Sequence, residues 1–432
     1  MSIDTAGTSP GLAGGQSEGA IEVRTIREDE LSAWARALNL GFMRAHVGED
    51  TELLRTFFEA DRWLAGFGNG HIVSTFRSFD AQLTVPGGAA IAADAITNVA
   101  VKATHRRRRL LSRMMAEDLS AARGRGSAVA ILIAAEYNIY GRFGFGPATL
   151  GNGCKVDLAR AGGLRTGLPE PVGGRIDFAT MTEVRELGPL LHERYRRIQP
   201  GAIDRSPSWW QLNTGAVTPA ASDWTEPLVA VHRDASGTVT GLIAYRVDGA
   251  WDGALPDCTL TVSDFLALDL PTAVALWQFA FSVDRVHKVV VSGLAPDDPL
   301  PLLLNDPRAV TPQAYNADFM WLRVLDVPAA FNARSYDAPG RVVLDVTDPA
   351  GYAAGRWALE AATDGTGRCT ATTDDPDLSL GASALGTLYL SGHTSASCLT
   401  AARLITENRP GAAAAADRIL RTHSRAWNPD EF

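Results

Sequence analysis

Four consecutive arginines, Arg106 to Arg109, stand between an apolar strand and a helix, and a tyrosine, Tyr140, follows the next strand. The strand reads Asp94-Ala-Ile-Thr-Asn-Val-Ala-Val101 and the turn His105-Arg-Arg-Arg-Arg109. Leu110, Leu111, Met114, Met115 and Leu119 then recur at helical spacing. A strand feeding a helix aims the free N–H groups of the first turn, and the positive dipole end, at whatever lies beyond. Arginines on that turn suit a pyrophosphate. An arginine run by itself is ordinarily a solvated basic face. The strand–turn–helix–strand setting points to phosphate instead. The second strand, Ala128 to Ala134, leads into Tyr140-Gly-Arg-Phe-Gly-Phe-Gly-Pro147.

These parts meet the demands of acyl transfer from a thioester to an amine. The cofactor phosphates need donors, the thioester needs an edge to lie along, the leaving thiolate needs a proton and the incoming ammonium must lose one. Backbone groups of Val99, Ala100 and Val101 can pair with the amide-bearing arm of coenzyme A as with another strand, and one N–H can support the developing oxyanion. A buried core strand would read the same way. Tyr140 is a sensible acid, because a phenol keeps its proton until needed. Tyr137, three residues earlier, is a rival that composition does not separate. Gly141, Gly144 and Gly146 imitate a nucleotide loop only superficially, with no phosphate turn before them.

The bulk properties set the frame. A chain of 432 residues suggests two or three domains. No apolar run is long enough to cross a bilayer. Residues 1–20 have neither a basic nor an apolar leader and read as a disordered tail. Four scattered cysteines and eight histidines without ligand spacing predict neither disulfides nor a metal site, and a cytoplasmic address. A net charge of −9 argues against nucleic acid, yet residues 102–125 hold eight Lys/Arg against Glu117 and Asp118. A confined basic site in an acidic body suits an anionic cofactor together with a cationic substrate.

The elements that must position these residues follow from periodicity. Ile21–Ile26 alternates as a strand, Asp29 is placed to cap a helix through Phe42, and Thr51–Ala60 reads as a second helix. Strands over 62–67, 72–85 and 90–101 follow, with a hairpin at Pro86-Gly-Gly88. The stretch 161–174 is a linker by composition. After it, a similar order of elements recurs to about residue 293 without an arginine turn. A strand meander and two helices, 382–390 and 397–406, complete the chain. The class is α+β, with mixed sheets.

His105-Arg-Arg-Arg with Leu110-Leu111, and Ile139-Tyr-Gly-Arg-Phe-Gly-Phe-Gly-Pro-Ala-Thr149, resemble the enhanced intracellular survival (Eis) acetyltransferases of the GNAT superfamily. Leu242-Ile-Ala-Tyr-Arg-Val-Asp248, Trp321-Leu-Arg-Val-Leu-Asp-Val-Pro-Ala-Ala330, Leu385-Gly-Thr-Leu-Tyr-Leu390 and the final Glu431-Phe432 extend the likeness. The resemblance implies two tandem GNAT-like domains, over 21–160 and 175–312, and a sterol-carrier-like α/β domain over 313–432. It implies acetyl-CoA as cosubstrate, no metal, a homohexamer, and amine acceptors of polyamine-like or aminoglycoside type. By carry-over, Tyr140 is the general acid and the Phe432 α-carboxylate the general base. Val99, Ala100, Val101 and the turn Arg106, Arg107, Arg108, Arg109, Leu110, Leu111 hold acetyl-CoA. Glu431, Phe42 and Arg44 face the substrate.

Two positions depart from that pattern. Arg109 stands where such turns have glycine, and Arg44 where relatives can carry an aspartate, so Arg44 would repel a polycation. A non-catalytic acyl-CoA or lipid binder and a protein lysine acetyltransferase are the alternative readings.

Overall fold

The computed structural model describes residues 21–44, 51–218 and 224–432; the tail expected over 1–20 lies outside them. The first part of the chain supplies β1 (Glu22–Thr25), β2 (Trp63–Gly68), β3 (His71–Thr84), β4 (Ala90–Val101), β5 (Val129–Ile133) and β6 (Gly146–Pro147). The second supplies β7 (Leu150–Asp157), β8 (Arg175–Ala179), β9 (Leu228–Arg233), β10 (Val239–Val247), the short hairpin β11 (Trp251–Asp252) and β12 (Leu255–Pro256), β13 (Cys258–Ala267), β14 (Val286–Leu294), β15 (Val310–Asp318) and β16 (Met320–Val324).

The sheets do not follow the cuts at 160 and 313. The first is ordered β1-β2-β3-β4-β5-β16-β6, the second β15-β7-β14-β13-β10-β9-β8. Thus β7 leaves its sequence neighbours for the second sheet, and β16 returns to zip between β5 and β6. A third sheet of five strands, its central one Gly340–Thr347, follows.

Alternation on β3 divides the first sheet into two faces. Phe76, with Ile96 of β4, packs beneath helix α3 introduced below, while Ala81 and Leu83 join the core of the C-terminal domain. Helix α1 (Leu31–Gly41) buries Leu31, Trp34 and Ala37, with Trp34 against Trp63 at 4.5 Å. Helix α2 (Thr51–Thr56) is short, and α3 (Leu110–Gly124) buries Met114, Met115, Leu119 and Ala122. Each large apolar side chain so buried stabilises by about 1.5–3 kcal/mol. Where β2 has ended, residues 201–204 take the vacant edge of β3, Thr84 N–H donating to Ala202 O (2.9 Å) and Gly201 N–H to Thr84 O (2.8 Å).

Three local expectations need correction. Asp29 does not cap α1; it lies in a 3₁₀ turn, Glu28–Glu30, where the capping box closes between Arg27 and Glu30. The second helix stops at Thr56, before the loop that carries Phe57 and Phe58. The helix expected over 397–406 ends at Ala401, and Ile405–Glu407 pairs with Leu378–Leu380, because a third-sheet edge outweighs the local helical pattern.

Candidate active site

The opening of β4 from β5 defines the site. The two strands pair in parallel only from Ala93 to Ile96, and β4 then continues to Val101 bonded to β3 alone. A bulge drives the divergence: Asn98 takes φ 53°, and the register against β3 slips between Thr75 and Arg77. Val99, Ala100 and Val101 therefore have no strand partner on the β5 side, as the extended-ligand expectation requires. Gly41 ends α1 against this segment; a Cβ there would meet the Ala100 Cβ at 2.5 Å.

The arginine turn closes one end of the opening. Arg107 (φ 64°) and Arg109 (φ 58°, ψ 20°) are both left-handed, and Arg109 is the N-cap of α3 without a side-chain cap bond. The backbone thus keeps a conformation that favours glycine although both residues carry long side chains. Arg106, Arg107 and Arg109 are exposed, while Leu110 and half-buried Leu111 anchor the helix start. The turn leads directly into this 15-residue helix, whose first N–H groups have no partner within the helix.

Tyr140 stands where the rival tyrosine does not. It ends the helical turn α4 (Tyr137–Tyr140), is 7% exposed, and packs with Met114, Ile96, Leu132 and Phe145. Burial raises its phenol above the ordinary tyrosine range. No hydrogen bond to the described residues occupies its hydroxyl, and that oxygen is not sealed from solvent. Tyr137 is 60% exposed and rests edge-on against Trp321. The loop after Tyr140 is locked from the third part of the chain: Arg323 donates to Phe143 O and pairs with buried Asp348 at 2.9 Å. A Cβ on Gly144 (φ 82°) would lie 1.5 Å from Arg323 Nη1, so this glycine serves close packing.

Phe432 reaches the opposite face of the first sheet, its ring edge-on to Phe79 at 5.8 Å. It lines a cavity of about 460 Å³ with Phe57, Glu59, Arg77, Ser206 and Trp209. Phe79 pairs with Ala95 on β4, whereas Ile96 of the Tyr140 cluster pairs with Ser78. Tyr140 and Phe432 therefore flank β4 from its two faces.

The second domain holds the tail that delivers Phe432. Arg205, stacked 3.9 Å over Trp209, bonds Asp430 (3.0 and 3.2 Å) and Asp264 (2.8 and 3.0 Å) at once. Asn428 Nδ2 donates to Asp430 O, and Trp427 N–H to Pro200 O. Burial pushes the Asp430 carboxyl up, opposed by Arg205. Glu431 is exposed and lines the cavity. Phe42, capping α1, and Arg44, 5.6 Å over its ring, do not line it.

Comparison with known proteins fits this geometry. Residues 22–148 and 201–324 each match an acetyltransferase (GNAT) domain family, and residues 327–429 match a sterol carrier protein domain. An uncharacterized N-acetyltransferase of Streptomyces avermitilis is 47% identical over 415 residues, covering 95% of this chain and 99% of that one. The N-acetyltransferase Eis of Mycobacterium tuberculosis is 34% identical over 352 residues, 79% of this chain and 82% of its own. The chain belongs to the Eis-like N-acetyltransferases. Among solved structures, Eis1 from Mycobacterium abscessus superposes with a TM-score of 0.82 at 30% identity, covering 95% of this chain and all of that one. This Eis-like enzyme is thus a GNAT acetyltransferase, a class that works with acetyl-CoA, and no helix among its described residues is long and apolar enough to cross a membrane.

Sequence reasoning missed four charged residues of this Eis-like site: Arg77, Arg205, Asp264 and Asp430. One carried a signal, a lone charge inside a strand: Asp264 in β13, whereas Arg77 shares β3 with Asp80. Arg205 and Asp430 carried none, since their partners lie 59 and 225 positions from Arg205.

Proposed function

We propose that this Eis-like enzyme moves the acetyl group of acetyl-CoA directly onto the amine of a small polyamine-like or aminoglycoside-like acceptor. The observation that carries the reading is the β4–β5 opening, flanked by Tyr140 on one face and Phe432 on the other. The arginine turn from Arg106 to Leu111 receives the cofactor phosphates, and the free edge of Val99, Ala100 and Val101 receives its amide arm. The Phe432 α-carboxylate takes a proton from the acceptor ammonium, and the nitrogen lone pair attacks the thioester carbon. The C–S bond then breaks, and the Tyr140 phenol protonates the departing thiolate, giving free coenzyme A and an amide. A backbone N–H of the bulged strand stabilises the oxyanion between these steps.

Glu431 supplies negative charge beside the base. Phe42 and Arg44, at the end of α1 over Ala100, face substrate from outside the cavity, where Arg44 disfavours polycations. Family resemblance adds a homohexameric assembly and a cytoplasmic setting. The test is thiol release from acetyl-CoA with diamines, aminoglycosides and lysine peptides, using N-terminally tagged protein. Tyr140→Phe and a short extension after Phe432 should each cut turnover on the order of 10²-fold or more while acetyl-CoA still binds. Cofactor binding without turnover on any amine would replace the reading with an acyl-CoA binder.

A further inference from the structure

The cavity behind Phe432 contains a cation with no salt bridge among the described residues. Arg77 points from β3 onto the face that carries Phe79 and Phe432, one register step from the bulge that opens β4. Its guanidinium lies among three rings, 5.0 Å from the centroid of Trp63, 5.7 Å from Phe79 and 6.0 Å from Phe57. It makes no salt bridge among the described residues, and its Nε is sealed without a hydrogen-bond partner. Burial lowers its pKa to about 10, with Glu59 opposing the shift. The acids around it divide in two. Asp80, Asp204 and Asp430 are engaged by Arg62, the Gln82 N–H and Arg205. Glu59 and Glu431 have no salt bridge among the described residues. A half-buried guanidinium without an anion is costly, and aromatic faces return only part of the lost hydration.

We infer that the natural acceptor is an amine that also carries a carboxylate, with Arg77 binding that carboxylate and the Glu59–Glu431 side of the cavity receiving the ammonium. The inference rests on the acetyl-transfer reading of the same cavity and replaces its polycationic acceptor with amino acids or peptide ends. Arg77 is then the residue that sets specificity: it selects the acceptor and leaves the cofactor untouched. The aromatic wall of Phe57, Phe79 and Trp209 suits a carboxylate-bearing amine with an apolar body.

The experiment compares matched amines with and without a carboxylate, phenylalanine against phenethylamine and lysine against cadaverine. Two readouts are taken, thiol release from acetyl-CoA and calorimetric binding to the full chain. For the native protein, kcat/KM should favour the carboxylate-bearing member on the order of ten- to a hundredfold. Arg77→Met should erase that preference without changing acetyl-CoA affinity, and Arg77→Lys should restore part of it. A ratio within one variant does not depend on how much of it folds. Equal or reversed preference in the native protein, or a preference that survives Arg77→Met, overturns the inference. If no amine is acetylated but phenylalanine binds and Arg77→Met abolishes that binding, the carboxylate site stands and the transfer reading falls. If neither carboxylate probe binds, the site is refuted.

Discussion

Replacing Arg205 with methionine should uncouple the tail from the site while leaving the fold standing. In the native protein the guanidinium sits between Asp264 and Asp430, 3% exposed and bonded to both. Methionine keeps much of the volume over Trp209 and removes the charge, leaving the buried Asp430 carboxylate and the partly buried Asp264 without their shared cation. Removing one partner of such a cluster costs about 3–5 kcal/mol. The tail has a cheaper route than global unfolding, because the few residues after Trp427 can undock. At about 1.4 kcal/mol per tenfold, the docking equilibrium constant then falls by roughly 10²- to 4 × 10³-fold. Thiol release with the best amine should fall by a similar factor, while acetyl-CoA affinity, set at β4 and α3, should hold. Hydrogen exchange across 425–432 should show the tail released. Burial already raises the Asp430 carboxyl, so protonation relieves part of the repulsion and the defect should ease as pH falls. Turnover within about threefold of native, with the tail still protected, would refute both the clamp and the role given to Phe432.

Other outcomes follow from the same geometry. Because burial raises the Tyr140 phenol, the alkaline limb of kcat/KM should lie above the ordinary tyrosine range near pH 10, and Tyr140→Phe should abolish that limb along with most of the rate. At Arg109, φ 58° predicts that Arg109→Gly is more stable than Arg109→Ala by about 1 kcal/mol in urea unfolding; the reverse order would contradict the left-handed turn. Asp94 and Asp118 lie buried together, each with an unsatisfied Oδ2; burial raises both, and the charge of Asp118 adds to the shift at Asp94, which reaches about 8. A raised carboxyl binds its proton more tightly folded than unfolded. Its contribution is therefore present at low pH and lost as pH rises from the ordinary aspartate range toward 8. Asp118→Asn should flatten that decline in a pH series of melting temperatures.

What the sequence disclosed was what neighbours in the chain decide. The strand, arginine turn and helix at 94–124 could be read because amphipathic spacing and a basic turn are local signals. The difference between Tyr140 and Tyr137 was not legible locally, since it lies in burial against Met114 and Phe145. Sheet membership was hidden for a related reason. Nothing local in Met320–Val324 or Leu150–Asp157 tells which sheet each joins, and only hydrogen bonding to β5 and to β14 shows that they trade sheets. Arg77 was passed over because a strand arginine normally reaches solvent; what makes it notable is that it has no salt bridge among the described residues, a property of the folded cavity.

The exchange of strands bears on how the site holds its shape. β16 is inserted between β5 and β6, directly beside the loop of Tyr140, and its Arg323 fixes that loop through Phe143 and Asp348. The Tyr140 side of the site therefore depends on a strand that arrives after most of the second domain. The other face depends on a tail that crosses the third domain and is gripped by Arg205 of the second. Neither side can be assembled by the first domain alone, although that domain carries the whole cofactor edge and arginine turn. Isolated residues 21–160 would lack β16 and with it the strand that joins β5 to β6. On the proposed reading, cofactor binding and acceptor chemistry are separable in this chain, the first written locally in β4 and α3, the second built only when all three parts have docked.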